Sequence, residues 1–162
     1  MIKIIGIDPG LSDTGIGIVT GEGLRVREYS YGTVSTSKRE SLPGRLAKIY
    51  SRLYAILNDE KPNQMIVEDV FSLNQYPKSG ITLGKVTGVI LLAGYQCDVP
   101  VSEVSVRSAK QILTGNGNAG KSQLEQAVRQ KLKLQEPIRP DHASDALGLA
   151  LIGLYRYREG SV

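Results

Sequence analysis

Asp8 is the first residue of this chain whose type and position together suggest chemistry. It directly follows the apolar residues 4–7, a run typical of a strand buried on both faces, and Pro9 and Gly10 end that strand. The carboxylate therefore stands at the carboxyl edge of what we interpret as the central strand, where open α/β sheets bind ligands. A carboxylate there needs a metal, another cation or backbone N–H groups. For Asp8 alone, metal binding and capping of the next turn both remain open.

Glu68 has the same kind of position further along the chain. Residues 64–67 form a second short apolar run that leads directly into this carboxylate, and residues 46–57 before it carry apolar side chains at helical spacing. A helical crossover returns the chain parallel to the first strand, so that both strands end at the same edge of the sheet. Two carboxylates a few ångströms apart repel unless a cation or a shared proton lies between them. We interpret them as metal ligands.

His142 and Asp145 begin the last predicted helix, which extends from residue 140 to Tyr155. They lie three residues apart and therefore share a helix face. If this helix starts over the sheet edge, both side chains complete a cluster with the first two acids. Asp141 is expected to cap the helix through its side-chain oxygen.

The remaining elements give the fold that must position these residues. Residues 14–19 and 24–34 read as two strands joined by a turn at residues 21–23, and residues 99–104 read as the last strand. The pattern predicts a single α/β domain over residues 1–162, with a five-stranded mixed sheet and helices on both faces. Three strands are antiparallel and the later ones are parallel.

Composition narrows the class of protein. The chain has 162 residues, a net charge of +4 and one cysteine. A basic balance favours a polyanionic partner, and a lone cysteine suits a reducing cytoplasm. No apolar run approaches the roughly 20 residues that a membrane span requires, so that we expect no membrane association.

Residues 115–122 match the phosphate-binding pattern G-x-x-x-x-G-K-[ST] at every fixed position. Such a loop must leave a buried strand and enter a helix, whereas residues 108–113 before it read as helix. No later strand ends in an acid that could hold Mg²⁺. We therefore interpret the match as accidental.

Two further stretches suggest binding surfaces. Residues 107–139 are rich in lysine and arginine; beside an acidic metal site they are better explained as clamps on a phosphate backbone than as a solvated helix face. The predicted helix 79–96 carries Gly80, Gly84 and Gly88 on one stripe. Each glycine costs about 1 kcal/mol of helix stability relative to alanine, which suggests that another backbone comes close. The partner backbone is either the protein's own sheet or, as we favour, a second subunit.

Taken together, these motifs resemble the bacterial RuvC Holliday junction endonucleases, which have the ribonuclease H-like fold. The resemblance covers nearly the whole chain. Its motifs are residues 6–10, 14–15, 42–46, 68–71, 83–84, 121–123 and 145–147.

The resemblance implies roles for individual residues. It makes Asp8, Glu68 and Asp145 catalytic metal ligands and places the fourth ligand at His142. These residues would hold two ions per active site, Mg²⁺ or alternatively Mn²⁺. For DNA binding, the prediction comprises an aromatic that stacks at the opened junction and four cations: Phe71, Lys78, Arg107, Lys110 and Lys121.

The resemblance also implies the activity and the partners. The expected enzyme makes paired symmetric nicks in four-way DNA junctions during recombination and repair, leaving 5′-phosphate and 3′-hydroxyl ends. It would act as a homodimer formed through helix 79–96 and would work with a branch-migration complex of RuvA and RuvB type proteins. Three other classes are kept for comparison: a P-loop or actin-like ATPase, an RNA-processing nuclease of the same fold, and a junction binder without catalysis.

Overall fold

The computed structural model describes residues 1–69 and 77–157. A five-stranded mixed sheet forms its centre, in the spatial order β3-β2-β1-β4-β5. The first three strands pair antiparallel, and β1, β4 and β5 are mutually parallel. The strands are β1 (Ile2–Asp8), β2 (Asp13–Glu22), β3 (Arg25–Ser35), β4 (Gln64–Asp69) and β5 (Val101–Ser105). The predicted mixed sheet is confirmed.

Five helices connect and cover the strands: α1 (Leu42–Glu60), α2 (Pro77–Gln96), α3 (Val106–Thr114), α4 (Lys121–Leu132) and α5 (Asp141–Arg156). Helix α1 begins where the Ser41 hydroxyl accepts a hydrogen bond from the backbone of Gly44, with Pro43 in the first turn. It is the crossover that returns the chain to β4. No helix in the described ranges is long and apolar enough to cross a membrane.

The helices bury two separate apolar cores, one on each face of the sheet. One core joins α1 and α2 to the sheet through residues such as Ile5, Leu53 and Ile90. The other joins α3, α4 and α5 to the opposite face through residues such as Ile4, Val128 and Leu151. The central strand β1 contributes to both, as expected for a strand that is apolar along its whole length.

Several element boundaries differ from the sequence prediction by one to three residues, and two of these differences have a clear local cause. Strand β2 continues through Glu22, so that the tight turn lies at Gly23 and Leu24, and Gly23 adopts a φ of +56°. Strand β5 begins at Val101 instead of Val99, because the Val99 N–H donates to the carbonyl of Gly94 at the end of α2. Neither difference moves a candidate site residue.

Candidate active site

The parallel pairing of β1 and β4 brings the first two acids together. Ile7 lies opposite Val67 in the register of these strands, so that Asp8 and Glu68 both follow at the same sheet edge. Asp8 is only 6% exposed, and its carboxyl group forms a hydrogen bond with that of Glu68. The predicted convergence of these two residues is therefore present.

Helix α5 reaches the same edge because glycines on the sheet let it approach closely. A Cβ atom at Gly15 would overlap the backbone carbonyl of His142, and one at Gly17 would overlap the backbone of Leu147. Gly6 of β1 allows the same close approach of the helix, since a Cβ at Gly6 would overlap the carbonyl of Ala146. The first turn of α5 is thereby held directly over the end of β1.

This placement puts His142 and Asp145 beside the two strand carboxylates. The His142 Nδ1 atom lies 2.6 Å from Asp8 Oδ2. All four predicted ligands line one cleft of about 280 Å³. The structure therefore brings the four predicted residues to one cleft, although they come from three elements spread over most of the chain.

Burial and mutual proximity shift the pKa values of Glu68, Asp145 and His142. Burial, followed by the hydrogen bond and charge of Asp8, raises the pKa of Glu68 to about 9. Burial and the Asp8 carboxylate raise the pKa of Asp145 to about 6, against an opposing effect of Lys121 and His142. The hydrogen bond to Asp8 raises the pKa of His142, although burial lowers it. Because the ionised forms of Glu68 and Asp145 are both destabilised, the cleft favours additional positive charge.

Three of the four predicted DNA-binding cations lie at or next to this cleft. Lys110 of α3 and Lys121 at the start of α4 line it directly. Arg107 lines an adjoining cleft of about 420 Å³ that shares Lys110 with the first. Lys78, at the start of α2, is exposed and is not among the residues that line either cleft. Phe71 lies outside the described residues.

Asp141 does not cap α5, and this expectation was wrong. The N-cap residue is Pro140, and no side chain caps that end of the helix. Asp141 is instead the first helical residue, and its carboxylate accepts a hydrogen bond from Arg139 at 2.7 Å. A carboxylate in the first turn still interacts favourably with the helix dipole.

The loop that matches the phosphate-binding pattern does not have the structure of a phosphate cradle. It joins helix α3 to helix α4 and follows no strand. Every backbone N–H from residue 115 to residue 120 already donates to a protein acceptor. The acceptors lie on Gln111, Thr114, Asn116 and Gln123. No N–H between residues 115 and 120 is left to bind phosphate, in agreement with the interpretation that the match is accidental.

Comparison with known proteins decides the family. The family model for the crossover junction endodeoxyribonuclease RuvC matches residues 4–153. A protein of that name from Syntrophomonas wolfei is 39% identical over 160 residues, covering 99% of this chain and 92% of the relative. The chain belongs to the RuvC family. This makes it an endodeoxyribonuclease.

The solved structures agree with this RuvC assignment. The Thermus thermophilus RuvC structure in complex with Holliday junction substrate superposes with a TM-score of 0.89 at 32% identity, covering 96% of this chain and 94% of that one. The yeast mitochondrial Holliday junction resolvase Ydc2 superposes with a TM-score of 0.61 at 13% identity, covering 94% of this chain and 77% of that one, which shows a common fold. The predicted ribonuclease H-like architecture is confirmed.

RuvC nucleases generally depend on a divalent metal, and the chemistry of the cleft fits such an ion. Three carboxylates and one imidazole offer oxygen and nitrogen donors of the types that Mg²⁺ and Mn²⁺ accept. Within residues 1–69 and 77–157, however, no three or more His, Cys, Asp or Glu side chains are arranged so that they could hold a metal ion. Instead, those of the cleft pair with one another, as the contact between Asp8 and His142 shows.

Sequence reasoning gave no role to Arg45, which supports the turn next to this RuvC site. Its guanidinium donates to the hydroxyls of Thr36 at 2.7 Å and Ser12 at 3.3 Å. The Thr36 hydroxyl in turn donates to the Leu11 carbonyl at 2.5 Å. These bonds fix the turn that follows Asp8 to the start of α1. The available signal was the motif at residues 42–46, to which no role was given.

Proposed function

We propose that this protein resolves Holliday junctions by making paired symmetric nicks in four-way DNA junctions during recombination and repair. One observation carries the proposal. Four potential metal ligands line a single cleft that two lysines also line. Such a cleft suits a phosphodiester that must be both held and hydrolysed.

The side chains of the cleft would divide this work between them. Asp8, Glu68, His142 and Asp145 would hold two divalent ions, Mg²⁺ or Mn²⁺. When bound, these ions supply a water activated for attack at phosphorus and stabilise the leaving 3′ oxygen. Lys121, whose charge already lowers the pKa values of Glu68 and Asp145, would offset the charge that develops on the phosphate. The products would be 5′-phosphate and 3′-hydroxyl ends.

The DNA would extend beyond the cleft over a wider basic surface. Lys110 and Arg107 would bind phosphates of the cut strand in the adjoining cleft. Roles for Lys78 in DNA binding and for Phe71 in stacking on an opened base pair remain predictions. We further propose that the enzyme acts in the cytoplasm together with a branch-migration complex of RuvA and RuvB type proteins.

Helix α2 is the proposed dimer interface. Among the described residues, nothing lies within 4 Å of where a Cβ atom would stand at Gly84 or Gly88, so that the protein's own sheet does not account for them. The same helix exposes Ile81, Leu92 and Tyr95 at 63%, 48% and 80%. A two-fold dimer through this stripe would present two clefts to a two-fold symmetric junction.

Substitution of Gly88 separates dimer formation from folding. We expect Gly88→Leu to leave the melting temperature unchanged or slightly raised, because a helical glycine is replaced by a better helix former in open space. Self-association should weaken by about tenfold or more, since the side chain prevents close approach of the partner backbone. Sedimentation velocity over a concentration series measures this change. Gln126→Leu, at an exposed position on α4, is the control, and an unaltered dimer in Gly88→Leu would reject this interface.

One cleavage assay distinguishes the candidate activities. The protein is incubated with a four-way DNA junction, a matched hairpin RNA and ATP, each with and without Mg²⁺. We expect Mg²⁺-dependent, symmetric nicks in the junction alone. RNA cleavage would favour an RNA-processing nuclease, ATP hydrolysis would favour an ATPase, and binding without cleavage would identify a non-catalytic junction binder.

His142 provides a test of the ligand assignment. We expect His142→Asp to retain cleavage within about tenfold of the wild type, because an oxygen donor replaces a nitrogen donor, whereas His142→Ala should lose about 100-fold. The wild-type rate should also rise with pH, since the raised pKa of His142 means that the imidazole must lose a proton before it can bind metal. That rise should be smaller in His142→Asp, in which only the raised pKa values of Glu68 and Asp145 still require loss of a proton before metal binds. Equal activity of the two variants would exclude His142 as a ligand.

A further inference from the structure

A basic groove lies far from the acidic cleft. It runs between the start of β3 and the end of α4 and has a volume of about 480 Å³. We call it the β3–α4 groove. Its lining consists of four cations and four uncharged side chains: Arg25, Arg27, Lys131, Lys133, Leu24, Val26, Tyr29 and Leu132.

The cations of the β3–α4 groove form no ion pairs among the described residues, although Glu22 lies opposite Arg25 in the register of β2 and β3. No acidic residue lines it, and within the described ranges none of its four cations forms an ion pair or a side-chain hydrogen bond. Lys131 and Lys133 also complement the carboxyl end of the α4 dipole. The helix dipole does not explain Arg25 and Arg27, which place further positive charge on strand β3. Concentrated like charge of this kind favours an anionic partner.

The β3–α4 groove also has an apolar component that phosphate groups would not need. Leu24 is 76% exposed and Tyr29 is 39% exposed, and both line the groove beside Leu132. Strand β3 is moreover the outermost strand of the sheet, so that one row of its backbone groups has no neighbouring strand within the described residues. An edge strand of this kind can accept an extended chain.

The position of the groove argues against its being a binding site for the DNA strand that is cut. Strand register pairs Ile2 with Gly21 and Asp8 with Gly15, and Gly21 pairs with Val26 of β3. The groove therefore lies near the opposite end of β1, about 20 Å from Asp8 at the usual rise per strand residue. A strand bound at the acidic cleft would have to pass around the domain to reach it.

From the unpaired cations, the exposed apolar side chains and the position, we infer that the β3–α4 groove binds an extended acidic segment of a partner protein, with apolar side chains between its carboxylates. The carboxylates would pair with the four cations, and the apolar side chains would cover Leu24 and Tyr29. The partner would then bind while the acidic cleft holds DNA.

Fluorescence anisotropy with three short labelled peptides tests this inference: alternating Glu and Leu, all Glu, and alternating Lys and Leu. We expect the Glu–Leu peptide to bind best and the Lys–Leu peptide not to bind. Arg25→Gln with Arg27→Gln should weaken Glu–Leu binding by about five- to tenfold, as expected for the loss of two partly exposed ion pairs. Leu24→Ser should weaken it by about threefold. The control pair Lys48→Gln with Arg52→Gln, exposed on α1, should have no effect.

Junction binding and NMR decide between the possible occupants of the groove. We expect both groove variants to bind and cleave a four-way junction like the wild type. In ¹⁵N-labelled wild-type protein, the Glu–Leu peptide should shift the amide signals of residues 24–29 and 131–133. Loss of junction affinity in the groove variants would assign the groove to DNA and overturn the inference. Equal binding of the all-Glu peptide would show bare charge attraction, and no binding of Glu–Leu would exclude an acidic segment; either result overturns it.

Discussion

Asp8→Asn is expected to lower the rate of junction cleavage by about a thousandfold or more while the junction still binds. The loss is large because Asp8 is the buried member of the cluster, contacting both Glu68 and His142, and because electrostatic groups at a reaction centre are commonly worth that much. Binding should stay within about threefold of the wild type or tighten slightly, since removing a negative charge reduces repulsion of phosphate. Single-turnover cleavage and an equilibrium binding assay measure the two quantities separately.

A matched substitution shows whether this effect is specific to the cleft. Asp13 begins β2 at the same edge of the sheet, where its carboxylate accepts a hydrogen bond from Ser35, and it does not line the cleft. Asp13→Asn should therefore keep cleavage within a few-fold of the wild type. Should Asp8→Asn cut junctions at the wild-type rate, the proposed chemistry would be wrong even if junction binding were found.

Glu68→Gln is expected to make the protein more stable and less sensitive to alkaline pH. The pKa of Glu68 is raised from 4.5 to about 9, so that the folded state holds more protons than the unfolded state between these values. Stability must then fall as pH rises through this interval. The raised pKa of Asp145, about 6, and the raised pKa of His142 act in the same direction at lower pH. Without divalent metal, the wild type should therefore melt at a lower temperature at pH 8 than at pH 5.

Glu68→Gln should lose most of this decrease in melting temperature between pH 5 and pH 8. At pH 8 we expect Glu68→Gln to melt at least about 5 °C above the wild type, where 1 kcal/mol corresponds to about 2–4 °C for a chain of this size. Mg²⁺ or Mn²⁺ should raise the melting temperature of the wild type at pH 8 and that of the variant much less, because ligand binding stabilises the folded state. Glu103→Gln, exposed on β5, is the control. If the melting temperatures of Glu68→Gln and the wild type depended on pH in the same way, ionisation of Glu68 would not destabilise the fold.

The part of the site that depends on strand order was predictable from the sequence. An apolar run followed by Asp8 and a second one followed by Glu68, separated by one helix, fix two parallel strand ends at one edge. The same reasoning correctly set aside the loop at residues 115–122, because a helix precedes it. Periodicity and chain order are local signals, and they determine these features without knowledge of packing.

Other features depended on contacts that no local pattern contains. Either Pro140 or Asp141 could be the N-cap residue of α5. Capping propensities favour Asp141, but they do not predict that its carboxylate pairs with Arg139 instead. The bond that Arg45 donates to the Ser12 hydroxyl joins residues 33 positions apart. The close approach of α5 to Gly15 and Gly17 is likewise a contact between distant segments of the chain.

The close seat of α5 on Gly6, Gly15 and Gly17 has a consequence for the protein during its synthesis. Asp8 and Glu68 are synthesised within the first half of the chain, whereas His142 and Asp145 are added near its end. Helix α5 must then settle onto the sheet before the four side chains can share one cleft. A newly made polypeptide therefore lacks the assembled cleft until its final helix docks.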